Sequence, residues 1–120
     1  MQTIIVVDDD QVFCGLLKTV LEFENYHVVV EPHPDSVIST MYTLEAKPTL
    51  ILMDVHSEHG DTLPLLRELK AHEILKTIPI IMASGMDRSI ECIDAGADAF
   101  LLKPFRPDEL IELVAKVIGQ

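Results

Sequence analysis

The chain is short of several things, and each shortage narrows what it can be. Only nine of its 120 residues are Lys or Arg, against 20 Asp or Glu, so the formal net charge is −11 with the five histidines neutral. A field of that sign repels phosphate backbones and argues against direct nucleic-acid binding by this stretch of chain. The two cysteines, Cys14 and Cys92, show no CxxC or other metal-ligand spacing. They read as reduced structural thiols, the usual state in a cytoplasmic protein. No apolar run approaches the roughly 20 residues that a membrane helix needs. The opening MQTIIVVDDD has neither a basic segment nor a small-residue cleavage site, so no signal peptide is expected and the expected location is cytoplasmic. Without repeats, low-complexity tracts or linkers, residues 1–120 are expected to form one domain, either free-standing or part of something longer.

What is present is a foldable composition. Hydrophobic residues make up 48% and charged residues 24%, which suits a globule with a real core rather than an acidic disordered chain. Short, nearly continuous apolar runs occur at 3–7, 27–30, 49–53, 78–83 and 99–102. Such runs suit strands covered on both faces, as in a parallel sheet. Between them lie amphipathic stretches. Phe13, Leu16, Leu17, Val20 and Leu21 recur at helical spacing behind a capping Asp10. Leu110, Leu113, Val114, Val117 and Ile118 do so behind Pro107, Asp108 and Glu109. Weaker helical stretches fall at 35–45, 63–72 and 88–95. Five strands alternating with five helices predict an open, doubly wound α/β fold, (βα)5, with its ligand crevice beyond the carboxyl ends of the strands.

The residue that follows each apolar run then carries the chemistry. The first run ends in Asp8, Asp9 and Asp10, the third in Asp54, the fourth in Ser84, and the fifth in Lys103 and Pro104. In a parallel sheet these positions share one edge, so carboxylates, a hydroxyl and an ammonium converge. Carboxylates from separate strands suit a hard, water-retaining cation such as magnesium. An aspartate beside it can attack a phosphoryl group and carry it as an acyl phosphate. The ammonium and hydroxyl supply positive charge and a donor for the phosphoryl oxygens. Singly, each residue has a plain explanation as a cap, turn or solvated charge. The joint pattern across four strands is what random surface polarity does not produce.

The ordered pieces IIVVDDD, LILMDV, IIMASG and FLLKPF resemble the receiver domain of two-component response regulators over essentially the whole chain. The resemblance implies a five-stranded sheet of flavodoxin-like order 2-1-3-4-5. It makes Asp54 the phosphoryl acceptor, supplied by a histidine kinase or phosphotransfer protein. Magnesium, or manganese in its place, would be held by Asp9, Asp54 and the main-chain carbonyl of His56, with Asp8 acting through water. Lys103 and Ser84 would contact the phosphoryl group, Ser84 and Phe100 would form the switch, and the Lys103–Pro104 bond would be cis. Partners would be a downstream effector or an attached output domain, with a homodimer through the fourth and fifth helices as a further option. Such a domain is a signalling phosphoacceptor rather than a conventional enzyme, although it catalyses its own phosphoryl transfer and dephosphorylation.

The resemblance has departures. Receivers commonly read D-x-x-x-P-x-x-D-G after the acceptor, whereas Glu58 and Thr62 stand here at the proline and glycine positions. The loop is therefore expected to be more mobile and more acidic, with the Glu58 carboxylate slowing phosphorylation. Rival readings are weaker. A haloacid dehalogenase-type phosphohydrolase would use Asp8 and Asp10 as its D-x-D pair, yet leaves Asp54 without a role. A phosphorylation-independent binding module usually lacks an acid or the lysine, and both are here. A flavin cradle would need a Gly-rich or Ser/Thr-rich phosphate loop after the first strand. His56 and His59 on one loop suggest a transition metal, but no cysteine or third histidine completes the set.

Overall fold

The computed structural model describes residues 1–58 and 60–119. Five parallel strands form the sheet: β1 (Thr3–Val7), β2 (His27–Glu31), β3 (Leu50–Asp54), β4 (Ile80–Ser84) and β5 (Ala99–Leu102), in spatial order β2-β1-β3-β4-β5. The order reverses direction between β1 and β3, the point at which folds of this kind place their ligand crevice, and Asp8 and Asp54 stand at the ends of these two strands. The helices are α1 (Gln11–Phe23), α2 (Val37–Thr43), α3 (Leu63–Ala71), α4 (Ser89–Asp94) and α5 (Pro107–Ile118).

Side-chain alternation along each strand divides the interior in two. Ile4 and Val6 of β1, Leu50 and Leu52 of β3, and Ile81 and Ala83 of β4 face α1 and α5, where Leu17, Leu21, Leu110 and Val114 meet them. Their neighbours Ile5, Val7, Ile51, Met53, Ile80 and Met82 face α2, α3 and α4, and pack with Val37, Met41, Leu66, Leu69 and Cys92. A strand buried on both faces has no polar position to spare until it ends. That is why the polar residues appear together at the carboxyl ends.

Three differences from the sequence reading are local. The second helix begins as a 3-10 turn, Pro34–Ser36, because Pro34 has no N–H to commit to an α-helical ladder, and the helix stops at Thr43. The fourth strand begins at Ile80 rather than 78, since Pro79 cannot donate to a strand ladder, although its carbonyl accepts from Ile51 N–H at 3.0 Å. The segment after β3, expected to be a mobile loop, forms a short antiparallel hairpin in which His56–Ser57 pairs with Gly60–Asp61. Gly60 holds φ at +115°, a conformation costly for any side-chain-bearing residue, and so lets this hairpin close. His59 of the two-histidine reading lies outside the described residues. Among the described residues no helix is long and apolar enough to cross a membrane.

Candidate functional site

Lys103 is the centre of the carboxyl edge. Its Nζ donates to Asp8 Oδ2 at 3.1 Å and to Asp54 Oδ2 at 3.2 Å, joining the ends of β1 and β3 to the residue after β5. The ammonium also lies 4.0 Å from the centroid of the Phe13 ring, and that ring meets Phe105 edge-on at 5.8 Å between centroids. Apolar rings below and carboxylates beside it fix the position of a charge that would otherwise swing on a flexible stem. The main chain is held as well: Lys103 N–H donates to the Ser84 carbonyl at 2.8 Å, and the Lys103–Pro104 peptide bond is cis.

Charge and burial compete here, and the winner differs by residue. The Asp8 side chain is only 3% exposed. Burial pushes its carboxyl above the usual aspartate value despite the Asp10 N–H, which donates to Oδ1 at 2.9 Å, and despite Lys103. For Lys103 burial alone would lower the pKa, but the charges of Asp8 and Asp54 outweigh it and hold the ammonium above its ordinary value. Burial, with Asp8 and Asp10 nearby, also lifts the Cys14 thiol to about 11, and its Sγ lies 3.3 Å from the Asp8 carbonyl as a donor. Cys14 is an inert packing group at neutral pH.

Of the other residues singled out in the sequence, Asp9 and Asp54 lie at this edge and their carboxylates accept from the hairpin. Glu58 N–H donates to Asp9 Oδ2 at 2.7 Å, and His56 N–H donates to Asp54 Oδ1 at 3.1 Å. Ser84 is fully buried, and its hydroxyl accepts from Met86 N–H at 3.1 Å within its own loop. Phe100 is half-buried against the α2–α3–α4 core. Asp10 is exposed and caps α1, its Oδ1 accepting from Phe13 N–H at 3.1 Å. The D-x-D reading thereby loses its second carboxylate to helix capping.

The sequence reading missed three contributors. Phe13 reads as one more apolar residue of α1, and only its place in the first turn beneath the acidic triplet hints at contact with the site. Thr62 registers only as a departure from the glycine pattern, yet it is 3% exposed, and its hydroxyl donates to the Asp54 carbonyl at 2.7 Å with the Val55 carbonyl at 3.2 Å. Arg88 has no sequence signal; its guanidinium joins Asp61 of the hairpin at 2.7 Å to Glu91 of α4 at 2.9 Å.

Asp8, Asp9 and Asp54 against a single ammonium leave the crevice anionic, and its donors are oxygens from the ends of two adjacent strands. That set fits a hard cation such as magnesium. Among the described residues no three His, Cys, Asp or Glu side chains gather into a full metal cage, so an ion here would complete its sphere with main-chain carbonyl and water.

Known proteins of similar sequence and fold are plentiful. The family model for the response regulator receiver domain matches residues 4–115. The chain is 30% identical over 120 residues to the phosphate regulon transcriptional regulatory protein PhoB of Pseudomonas aeruginosa, covering 98% of this chain and 52% of that protein, so it spans about half of that relative's length. It is 31% identical over 119 residues to the chemotaxis protein CheY of Bacillus subtilis, covering 97% of each. The receiver domain of sensor histidine kinase PA1611 from Pseudomonas aeruginosa, solved with magnesium coordinated in its active-site cleft, superposes with a TM-score of 0.86 at 26% identity, covering 99% of this chain and 98% of that one. Sheet order, edge chemistry and matched length agree, and the chain belongs to the response regulator receiver domains, the phospho-accepting modules of two-component signalling.

Proposed function

We propose that Asp54 is the residue that accepts the phosphoryl group, donated by the phosphohistidine of a kinase or phosphotransfer protein. A carboxylate oxygen of Asp54 forms a bond to phosphorus while the phosphorus–nitrogen bond of the donor breaks, and the imidazole leaves with the electron pair. Water later cleaves the acyl phosphate and releases inorganic phosphate. The observation that carries this reading is the Lys103 ammonium held between Asp8 and Asp54, 3.2 Å from the Asp54 carboxylate, where a phosphoryl oxygen arriving at Asp54 meets fixed positive charge.

Asp9, Asp54 and the His56 carbonyl would hold magnesium, with Asp8 acting through water and manganese as a substitute. The cation would supply charge neutralisation to the incoming phosphoryl group. Ser84 would leave its bond with Met86 N–H for a phosphoryl oxygen, and Phe100 would repack behind it. The output surface is α4, β5 and α5, where Ile90 is 78%, Ile93 48% and Leu102 49% exposed. Apolar residues left open on one face suit an effector, an attached output domain or a second copy. We read residues 1–120 as this receiver domain, working in the cytoplasm.

Incubation with a small acyl-phosphate donor, with and without magnesium, followed by intact mass, tests the reading. The wild type gains one phosphoryl group only with magnesium, and Asp54→Asn gains none. Uptake that persists unchanged in Asp54→Asn sinks the assignment.

A further inference from the structure

We propose that Glu58 and Thr62 are positioning residues for the two cation-binding carboxylates, acting through the Glu58 main-chain N–H on Asp9 and the Thr62 hydroxyl on the Asp54 carbonyl. The proposal rests on the reading of Asp9 and Asp54 as magnesium ligands. Both residues stand where the receiver pattern has groups that cannot make these bonds. A proline at 58 has no N–H, and a glycine at 62 has no hydroxyl.

The geometry supports a joint role. The bond from Glu58 N–H to Asp9 Oδ2 is 2.7 Å long and reaches across 49 residues of sequence. A charge-assisted bond of that length belongs to the strong class. It fixes one oxygen of a half-exposed carboxylate and orients the other. At Asp54, His56 N–H fixes the side chain through Oδ1, and the buried Thr62 hydroxyl fixes the main chain at 2.7 Å. The donors themselves sit on a stiff support. Ser57 and Gly60 pair across the hairpin, and the Asp61 carboxylate accepts from Leu63 N–H at 2.8 Å and from Arg88 at 2.7 Å. The Glu58 carboxylate is exposed to solvent, so its charge is screened, and the contact that reaches the site is made by its main chain. Hydrogen bonds that orient ligands typically carry about 10- to 100-fold in metal affinity.

Calorimetric titration of the metal-free protein with magnesium chloride separates these contributions, with thermal unfolding as the control for folding. Glu58→Pro and Thr62→Val each weaken binding by roughly tenfold. Glu58→Gln keeps the N–H and Thr62→Ser keeps the hydroxyl, and each stays within about twofold of wild type. Wild-type affinity in both Glu58→Pro and Thr62→Val overturns the proposal, and so does a loss in Glu58→Gln as large as that in Glu58→Pro. If either variant fails to fold, amide exchange in the metal-free protein decides. The Glu58 amide is protected in the wild type and loses protection in Asp9→Ala, whereas equal exchange in the two overturns the positioning of Asp9. A wild type that takes up no magnesium sinks the cation reading itself, whereas a wild type that binds alongside four indistinguishable variants sinks only the positioning roles.

Discussion

The two sides of the sheet are built differently. On one side stand α1 with 13 residues and α5 with 12, each burying three residues and each started by an acidic side chain: Asp10 accepts from Phe13 N–H at 3.1 Å, and Glu109 accepts from Arg106 N–H at 3.2 Å. On the other stand α2 with seven residues, α3 with nine and α4 with six. Helix α4 buries only Cys92, its N-cap Arg88 makes no capping side-chain bond, and it leaves Ile90 and Ile93 exposed. Short helices with few buried residues lie at the low-stability end of a fold, and that is where a switch has room to act. The α1–α5 side is thus the scaffold that carries Phe13 and Lys103. The α4 side is tied to the hairpin after β3 by the ion pair of Asp61 with Arg88.

The hardest test of this contrast is to open each core equally. Leu110→Ala on the α5 side and Leu66→Ala on the α3 side each remove a fully buried side chain, and each should cost about 2–5 kcal/mol in denaturant unfolding. Equal costs show that both cores support one cooperative sheet, and a much smaller cost for Leu66→Ala would mean the second side is already loose. Next, Asp10→Ala should cost about 0.5–2 kcal/mol and fray the first turn of α1 in hydrogen exchange.

A pH comparison of Asp8→Asn with wild type isolates the site from both cores. The carboxyl of folded Asp8 is raised by burial, so the fold favours its neutral form. The wild type is therefore penalised above that raised value, and the penalty fades as pH falls below the ordinary aspartate pKa, where Asp8 is neutral folded or unfolded. Asp8→Asn should unfold at a higher denaturant concentration at neutral pH, with the gain gone near pH 3. A gain that persists in acid would show that packing, not charge, is responsible. The smallest effect is expected at Arg88→Ala. Exposed ion pairs contribute little to global stability, so its unfolding midpoint should barely move while amides 89–94 exchange several-fold faster. Unchanged exchange there would break the claim that this pair holds α4.

These contrasts also show where the sequence was readable. Strands buried on both faces announce themselves as apolar runs, so the bounds of β1 and β5 were read directly, as was the meeting of Asp8, Asp54, Ser84 and Lys103 at one edge. What stayed hidden depends on short-range backbone geometry or on partners distant in sequence. The hairpin after β3 is two residues long on each strand, too brief for any periodicity. Thr62 stood out only as a missing glycine, because the use of its hydroxyl depends on where the Asp54 carbonyl points. The Arg88–Asp61 pair joins residues 27 positions apart with no pattern between them.

The bond from Lys103 to Asp8 spans 95 residues and the one to Asp54 spans 49. Contacts of such separation carry a large loop-closure cost and form late in folding. The charged edge is therefore complete only once β1 has paired with β3 and β5 has docked on β4. The ammonium that neutralises Asp8 and Asp54 is thus among the last parts of the sheet edge to be put in place, and in an incomplete chain those carboxylates face one another without it.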